Sequence, residues 1–441
     1  MKVNLIFIIF LGLWVAPLTA QQYDQFFTTQ SCRVDVHFSG NTREMNVSLE
    51  KIKQEPYWGG RVSDLTPMNV PGDFRFTVTD SATNQLIYTD GFNTLFREWQ
   101  TTPEAEKVNK SFENTVVFPF PKTTVRLCIE RRTGFNSWEL LLAVMIRPDD
   151  ALIQRTGKLK VPVKVLRKPS QPSEAVDIAI IGEGYTAGEL KKFYREADRL
   201  AGYIVSHEPF KTYKSRLNFY AVGALSNETG VSKPHEGKWK NSALGAHYHT
   251  FYSPRYLTSP RHFLIRDYAS AVPYDAIYIL VNTDEYGGGG IYNFYALTSA
   301  RGRDARAVTV HEFGHSFAGL ADEYFYEGGD ALDGMYPLHE EPWEPNITTL
   351  KHFEHKWLAD LPEGTPVPTP LPEDSAAANP AAVPASQSTS LLGVYEGGGY
   401  KTKGIYRPTP DCRMKTNKAA EFCPVCVKAV EARIRLLTGA L

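Results

Sequence analysis

His311-Glu312-Phe313-Gly314-His315-Ser316-Phe317-Ala318-Gly319-Leu320-Ala321-Asp322-Glu323-Tyr324 holds two histidines four apart, a glutamate beside the first, and an acidic pair after a glycine. Val308, Val310 and Phe313 give the stretch an apolar face, which predicts a buried helix near 305–319. Residues four apart on a helix lie on one face, a turn apart. His311 and His315 are therefore expected to aim at one metal ion, with Glu312 placed to hold an activated water. This H-E-x-x-H pattern is the one zinc hydrolysis requires. The competing reading, a surface helix with two solvated histidines, fits the apolar flank poorly.

Two histidines leave a hydrolytic zinc short of a protein ligand. Gly319 is expected to end the helix, because it tolerates a left-handed backbone. Asp322, three residues beyond, is favoured as the third ligand. Glu323 is its rival, and also a partner for a histidine N–H. The order is similar to that of metzincins, with a departure: their glycine falls three after the second histidine, where this chain has Ala318. Met414, within Asp411-Cys412-Arg413-Met414-Lys415-Thr416, resembles the methionine turn beneath the metal in that group.

Working outward, Val176 to Ile181, Leu217 to Val222 and Ala276 to Val281 read as buried strands, and Ala187 to Ser206 as a helix. Strands alternating with helices predict an α/β domain over residues 172–441. Gly287 to Gly290 is expected as a flexible loop. Ile291 to Thr298 is expected as an edge strand onto which substrate backbone could add. Gly182-Glu183-Gly184 lacks the spacing of a dinucleotide site and reads as a structural turn. Residues 362–388, rich in Pro, Ala and Ser, read as an exposed insertion, and Val425 to Leu437 as the last helix.

Residues 21–150 alternate with period two, as in Cys32 to Phe38, Phe74 to Val78 and Val125 to Ile129, with Gly-containing turns between. They predict an all-β sandwich. Residues 151–171 read as a linker with room for one strand. The fold class expected is two-domain α+β: the sandwich, then an α/β zincin domain with a mixed sheet and an active-site helix.

A net charge of −1 gives no reason to expect nucleic acid or an anionic membrane as partner. Residues 1–20 read as a signal peptide: Lys2, an apolar run from Leu5 to Val15, and small residues up to Ala20. No later stretch is apolar enough to span a membrane. An exported protein is expected. The five cysteines suit an oxidising compartment. Cys412, Cys423 and Cys426 admit three readings: a redox pair, half a zinc knuckle, or a disulfide from Cys412 to Cys423 or Cys426. The disulfide is favoured.

The runs Ile178 to Thr186, Val281 to Tyr292, His311 to Tyr324, Tyr406 to Met414 and Phe422 to Cys426 resemble the M64 peptidases, secreted bacterial metallopeptidases labelled IgA peptidases. The resemblance covers residues 172–441, and the part before it is similar to the β-sandwich that precedes the peptidase domain in members. It implies Zn2+, a metzincin-like domain, metal positions at His311, His315 and Asp322, and a protein or peptide substrate, with a host glycoprotein such as immunoglobulin as a candidate.

The expected activity is that of a zinc endopeptidase with Glu312 as general base. Tyr292, Tyr324, Tyr400 and Tyr406 are candidates to stabilise the oxyanion. Two alternatives stand beside it: a non-catalytic surface protein with a degenerate metal domain, and a zinc amidase acting on cell-wall peptide.

Overall fold

The computed structural model describes residues 23–327, 334–371 and 389–439. The expected signal peptide, residues 1–20, and positions 372–388 of the expected insertion lie outside the described residues.

The N-terminal domain has two four-stranded sheets. One has the order β5-β1-β2-β8, from β1 (Phe27–Gly40), β2 (Met45–Glu55), β5 (Lys110–Pro121) and β8 (Gln154–Arg155). The other has the order β4-β3-β6-β7, from β3 (Phe74–Asp80), β4 (Leu86–Phe92), β6 (Val125–Gly134) and β7 (Ser137–Ile146). Alternate residues point inward. Val34, Val36 and Phe38 of one sheet share a core with Phe74, Phe76 and Val78 of the other, as sheet-on-sheet packing requires. A short helix, α1 (Leu95–Trp99), is capped by Thr94, whose side chain accepts from Arg97 N.

The second domain is built on a six-stranded mixed sheet, β13-β14-β12-β10-β11-β9. Its strands are β9 (Val163–Arg167), β10 (Val176–Glu183), β11 (Leu217–Val222), β12 (Ala276–Val281), β13 (Gly288–Ile291) and β14 (Tyr295–Ser299). The four inner strands are parallel and both edges antiparallel. Val176, Ile178 and Ile180 of β10 face one core; Ala179 and Ile181 face the other. A strand buried on both faces reads as a continuous apolar run. Helices α2 (Leu190–Val205), α4 (Ala305–Ala318) and α5 (Pro424–Thr438) cover the first face, while α3 (His262–Ala269) packs on the second. A hairpin of β15 (Tyr395–Gly398) and β16 (Lys401–Arg407) follows the insertion. Among the described residues no helix is long and apolar enough to cross a membrane.

Two expectations need correction. The edge strand is not Ile291 to Thr298: β14 lies inside the sheet, and the edge is β13, formed by the glycines expected as a flexible loop. Glycine is a poor strand former in isolation, but here bulk is excluded. A Cβ on Gly290 would stand 2.3 Å from the Glu312 carbonyl oxygen, and one on Gly288 would stand 2.5 Å from Glu312 Oε1. The strand is glycine because it lies directly on α4. Residues 151–171 are also more than a linker, since β8 pairs with β2 and β9 with β11. These edge strands are short and mostly exposed, so no apolar run marks them.

Polar contacts join the domains. The fully buried Arg33 donates to Asp35, to Glu55 and, across the boundary, to Asp267 at 2.6 Å. Asn93 N donates to Tyr292 O at 3.0 Å, and Asn293 Nδ2 to Gly91 O at 2.8 Å.

Candidate metal centre

α4 spans Ala305–Ala318 and ends at Gly319, whose φ of 63° is left-handed, as its sequence position predicts. Val310, Phe313 and Phe317 are buried in the core, which turns His311, Glu312 and His315 toward a cleft of about 360 Å³. The chain then doubles back and brings Asp322 to the histidines.

The Nε2 atoms of His311 and His315 stand 3.0 Å apart. Asp322 Oδ1 lies 3.1 Å from the first and 3.3 Å from the second. Ligands at about 2.0–2.1 Å from a tetrahedral zinc are separated by about 3.3 Å, so the triangle has the size of one face of such a site. Asp322 Oδ1 is buried and accepts no well-aligned hydrogen bond. The three donors therefore fit a divalent cation.

Each ligand atom is aimed from behind. His311 Nδ1 is 3.0 Å from Arg413 O, and His315 Nδ1 is 2.5 Å from Leu320 O. A carbonyl only accepts, so each Nδ1 carries a proton, and Nε2 is the nitrogen left facing the cleft. Asp322 Oδ2 accepts from Tyr400 Oη at 2.7 Å. Met414 is fully buried beneath the helix, its sulfur 3.0 Å from where a Gly314 Cβ would stand, and its carbonyl accepts from Glu323 N at 2.9 Å.

The electrostatics favour positive charge at this point. Burial opposes a charge on His315, yet the adjacent Asp322 lifts the imidazole to about 9. Burial would raise Asp322, but the charge of His315 holds it well below the usual carboxylate range. Burial raises Glu312, against the opposing charges of His311 and His315.

Glu323 does not join this group. It turns away, its Oε1 accepting from Asn346 Nδ2 at 2.9 Å and facing Cys426 Sγ at 3.4 Å. The expected disulfide is corrected. All five cysteines are free, and Cys412 and Cys426 have their sulfurs 3.8 Å apart, against about 2.05 Å in a disulfide. The three sulfurs crowd round the Glu323 carboxylate instead of pairing.

Of the four tyrosine candidates, Tyr400 is bound to Asp322, Tyr292 packs against Trp343, and Tyr406 is absent from the cleft wall. Tyr324 remains on the cleft beside Arg255, whose Nη2 is 3.4 Å from its hydroxyl. Sequence reasoning missed Arg255, Tyr256 and Glu98. Glu98 comes from α1 of the first domain and accepts from Tyr256 Oη; burial pushes it up to about 7. No motif marks these residues, because long-range folding alone brings them to the cleft.

Comparison with known families agrees with this architecture. The family described as IgA Peptidase M64 matches residues 165–383 and 376–434, and Peptidase M64 N-terminus matches residues 22–142. No curated protein matches the chain. The chain belongs to the M64 peptidase family. It is a peptidase, and the family together with the clustered ligands points to a metal cofactor.

Proposed function

We propose that the protein is a zinc-dependent endopeptidase of metzincin-like design, exported by its N-terminal twenty residues and acting on extracellular proteins. The observation that carries the reading is the convergence of His311 Nε2, His315 Nε2 and Asp322 Oδ1 within 3.3 Å of one another, with Glu312 on the adjoining turn. A zinc ion held by these three would acidify a water and polarise the scissile carbonyl.

The protein's own residues supply the rest. Glu312 is the general base: its carboxylate takes the proton of the attacking water and passes it to the departing amine. Gly288 leaves its carboxylate room to do so. Tyr324 and Arg255 donate toward the oxygen on which negative charge develops.

The edge strand β13 binds the substrate backbone. Leu257 N donates to Gly288 O, so residue 288 faces outward from the sheet. With the period of two, Gly290 turns its N–H and C=O to the same side, along the cleft wall. An extended peptide pairing there would pass over the histidines. An open groove beside the Gly290 end of the strand, the Gly288 end being paired with Tyr256 and Leu257, favours a polypeptide substrate, and an immunoglobulin is a candidate.

Incubation of the zinc-loaded protein with casein and with immunoglobulin A, with and without chelator, tests the reading. Internal cleavage that chelator abolishes and zinc restores is expected. Cleavage indifferent to chelator, or none of either substrate, would overturn it.

A further inference from the structure

A second cluster of metal-binding atoms lies behind the first. Glu323, Cys412, Cys423 and Cys426 are all fully buried, and one ligand atom from each lies within 4.8 Å of the others. They come from three separate places: the residue after Asp322, the Met414 turn, and the start of α5.

We propose that these four residues form a structural zinc site, Cys3Glu, that locks the Met414 turn and the Asp322-Glu323 pair to α5.

The spacing supports it. Zinc held tetrahedrally by thiolates at about 2.3 Å sets the sulfurs about 3.8 Å apart, and a thiolate about 3.5 Å from a carboxylate oxygen bound at about 2.0 Å. Cys412 and Cys426 have their sulfurs 3.8 Å apart, and Cys426 Sγ is 3.4 Å from Glu323 Oε1. Cys423 Sγ is 4.0 Å from the same oxygen.

Backbone N–H groups converge on two of the sulfurs. Cys412 Sγ accepts from Met414 N at 3.5 Å and from Cys423 N at 3.2 Å; Cys423 Sγ accepts from Cys426 N at 3.5 Å. Cys423 caps the N-terminus of α5, where the helix dipole favours negative charge. Three thiolates and a carboxylate exceed a dication by two charges. Arg407, fully buried, and Lys415 act on Glu323 through space and offset them.

A second observation points the same way. Glu323 is fully buried, and its Oε2 has no hydrogen-bond partner. A carboxylate left so is costly without a cation. A Cys412–Cys426 disulfide would leave Cys423 and this carboxylate unsatisfied, whereas one zinc engages all four. Soft thiolates with tetrahedral spacing select zinc over hard cations. On binding, the three thiol protons pass to solvent.

The test uses the full chain purified with zinc. Elemental analysis should give two zinc ions per chain in the wild type and one in the double variant His311→Ala/His315→Ala. After cobalt exchange, that variant should keep a thiolate-to-cobalt charge-transfer absorption. Denaturation in alkylating agent with chelator and no reductant should modify all five cysteines. One zinc in the wild type and none in the histidine variant would overturn the proposal, as would a disulfide among Cys412, Cys423 and Cys426. None of these readouts requires a cysteine variant to fold. One zinc in both proteins, with thiolate absorption, would sustain this site while removing the histidine site of the proposed function.

Discussion

Tyr400 donates a 2.7 Å hydrogen bond to Oδ2 of Asp322, whose other oxygen faces both histidines. The hydroxyl fixes which oxygen is offered to the metal. Partners of this kind typically matter about 10–100-fold in affinity or activity. Tyr400→Phe should weaken zinc binding within that range while leaving the fold intact, as read by competition with a chromophoric chelator. Unchanged affinity would show that the hydroxyl does not orient Asp322.

Glu312→Gln keeps the shape of the side chain and removes its basicity. Zinc content should be unchanged, and peptide hydrolysis should fall by about 10²–10⁴-fold, the usual contribution of a positioned base. Full activity in this variant would remove Glu312 from its role.

Asp322 and Glu323 are neighbours with separate destinations. Asp322→Ala should strip zinc from the histidines and abolish hydrolysis. Glu323→Ala should leave the histidine site able to bind zinc, because the backbone N–H of residue 323 still donates to Met414 O. Zinc titration of each variant decides. Equal loss of the histidine-bound metal in both would contradict the assignment.

Gly288→Ala and Gly290→Ala separate chemistry from folding. At Gly290 the added methyl meets backbone, the Glu312 carbonyl at 2.3 Å, so β13 must shift from the helix. Overpacking of this kind costs about 1–3 kcal/mol, and the melting temperature should drop. At Gly288 the methyl meets the movable end of Glu312. Stability should change little there, while turnover falls because the carboxylate is displaced. Identical melting and turnover profiles for the two variants would refute this difference.

Glu98 gives a pH dependence with a definite sign. Burial raises its carboxyl from the ordinary glutamate value of about 4.5 to about 7. Between these values the folded chain holds a proton that the unfolded chain has lost, so this residue's contribution to stability declines as pH rises through the window. The size is on the order of 3 kcal/mol. In chelator-treated protein, Glu98→Gln should flatten the fall in melting temperature between pH 4.5 and 7. An unaltered slope would show that Glu98 is not the group responsible.

The helix, its glycine stop and the strands of the α/β sheet were legible because each follows from local periodicity. Ala276 to Val281 and Leu217 to Val222 were bounded as observed, since a strand buried on both faces has no polar interruption. Asp322 was reached through spacing, and the structure sets it against the histidines. The glycine run misled, because its meaning depends on a helix that follows it: what excludes a Cβ is the backbone of Glu312. The thiol cluster was half legible. Cys423-x-x-Cys426 was evident, but Glu323 is distant in sequence and its turn away from the histidines depends on Asn346. Glu98 and Arg255 carried no sequence signal at all.

The cleft does not respect the boundary between the two halves of the chain. Glu98 and Asn93, from the first domain, form part of its wall, and Tyr256 relies on Glu98 for its hydroxyl contact. A C-terminal fragment expressed alone would therefore have one side of its groove stripped away. Whatever selectivity the enzyme has for the chains it cuts is composed jointly, so swapping the N-terminal portion between relatives should alter preference as well as solubility.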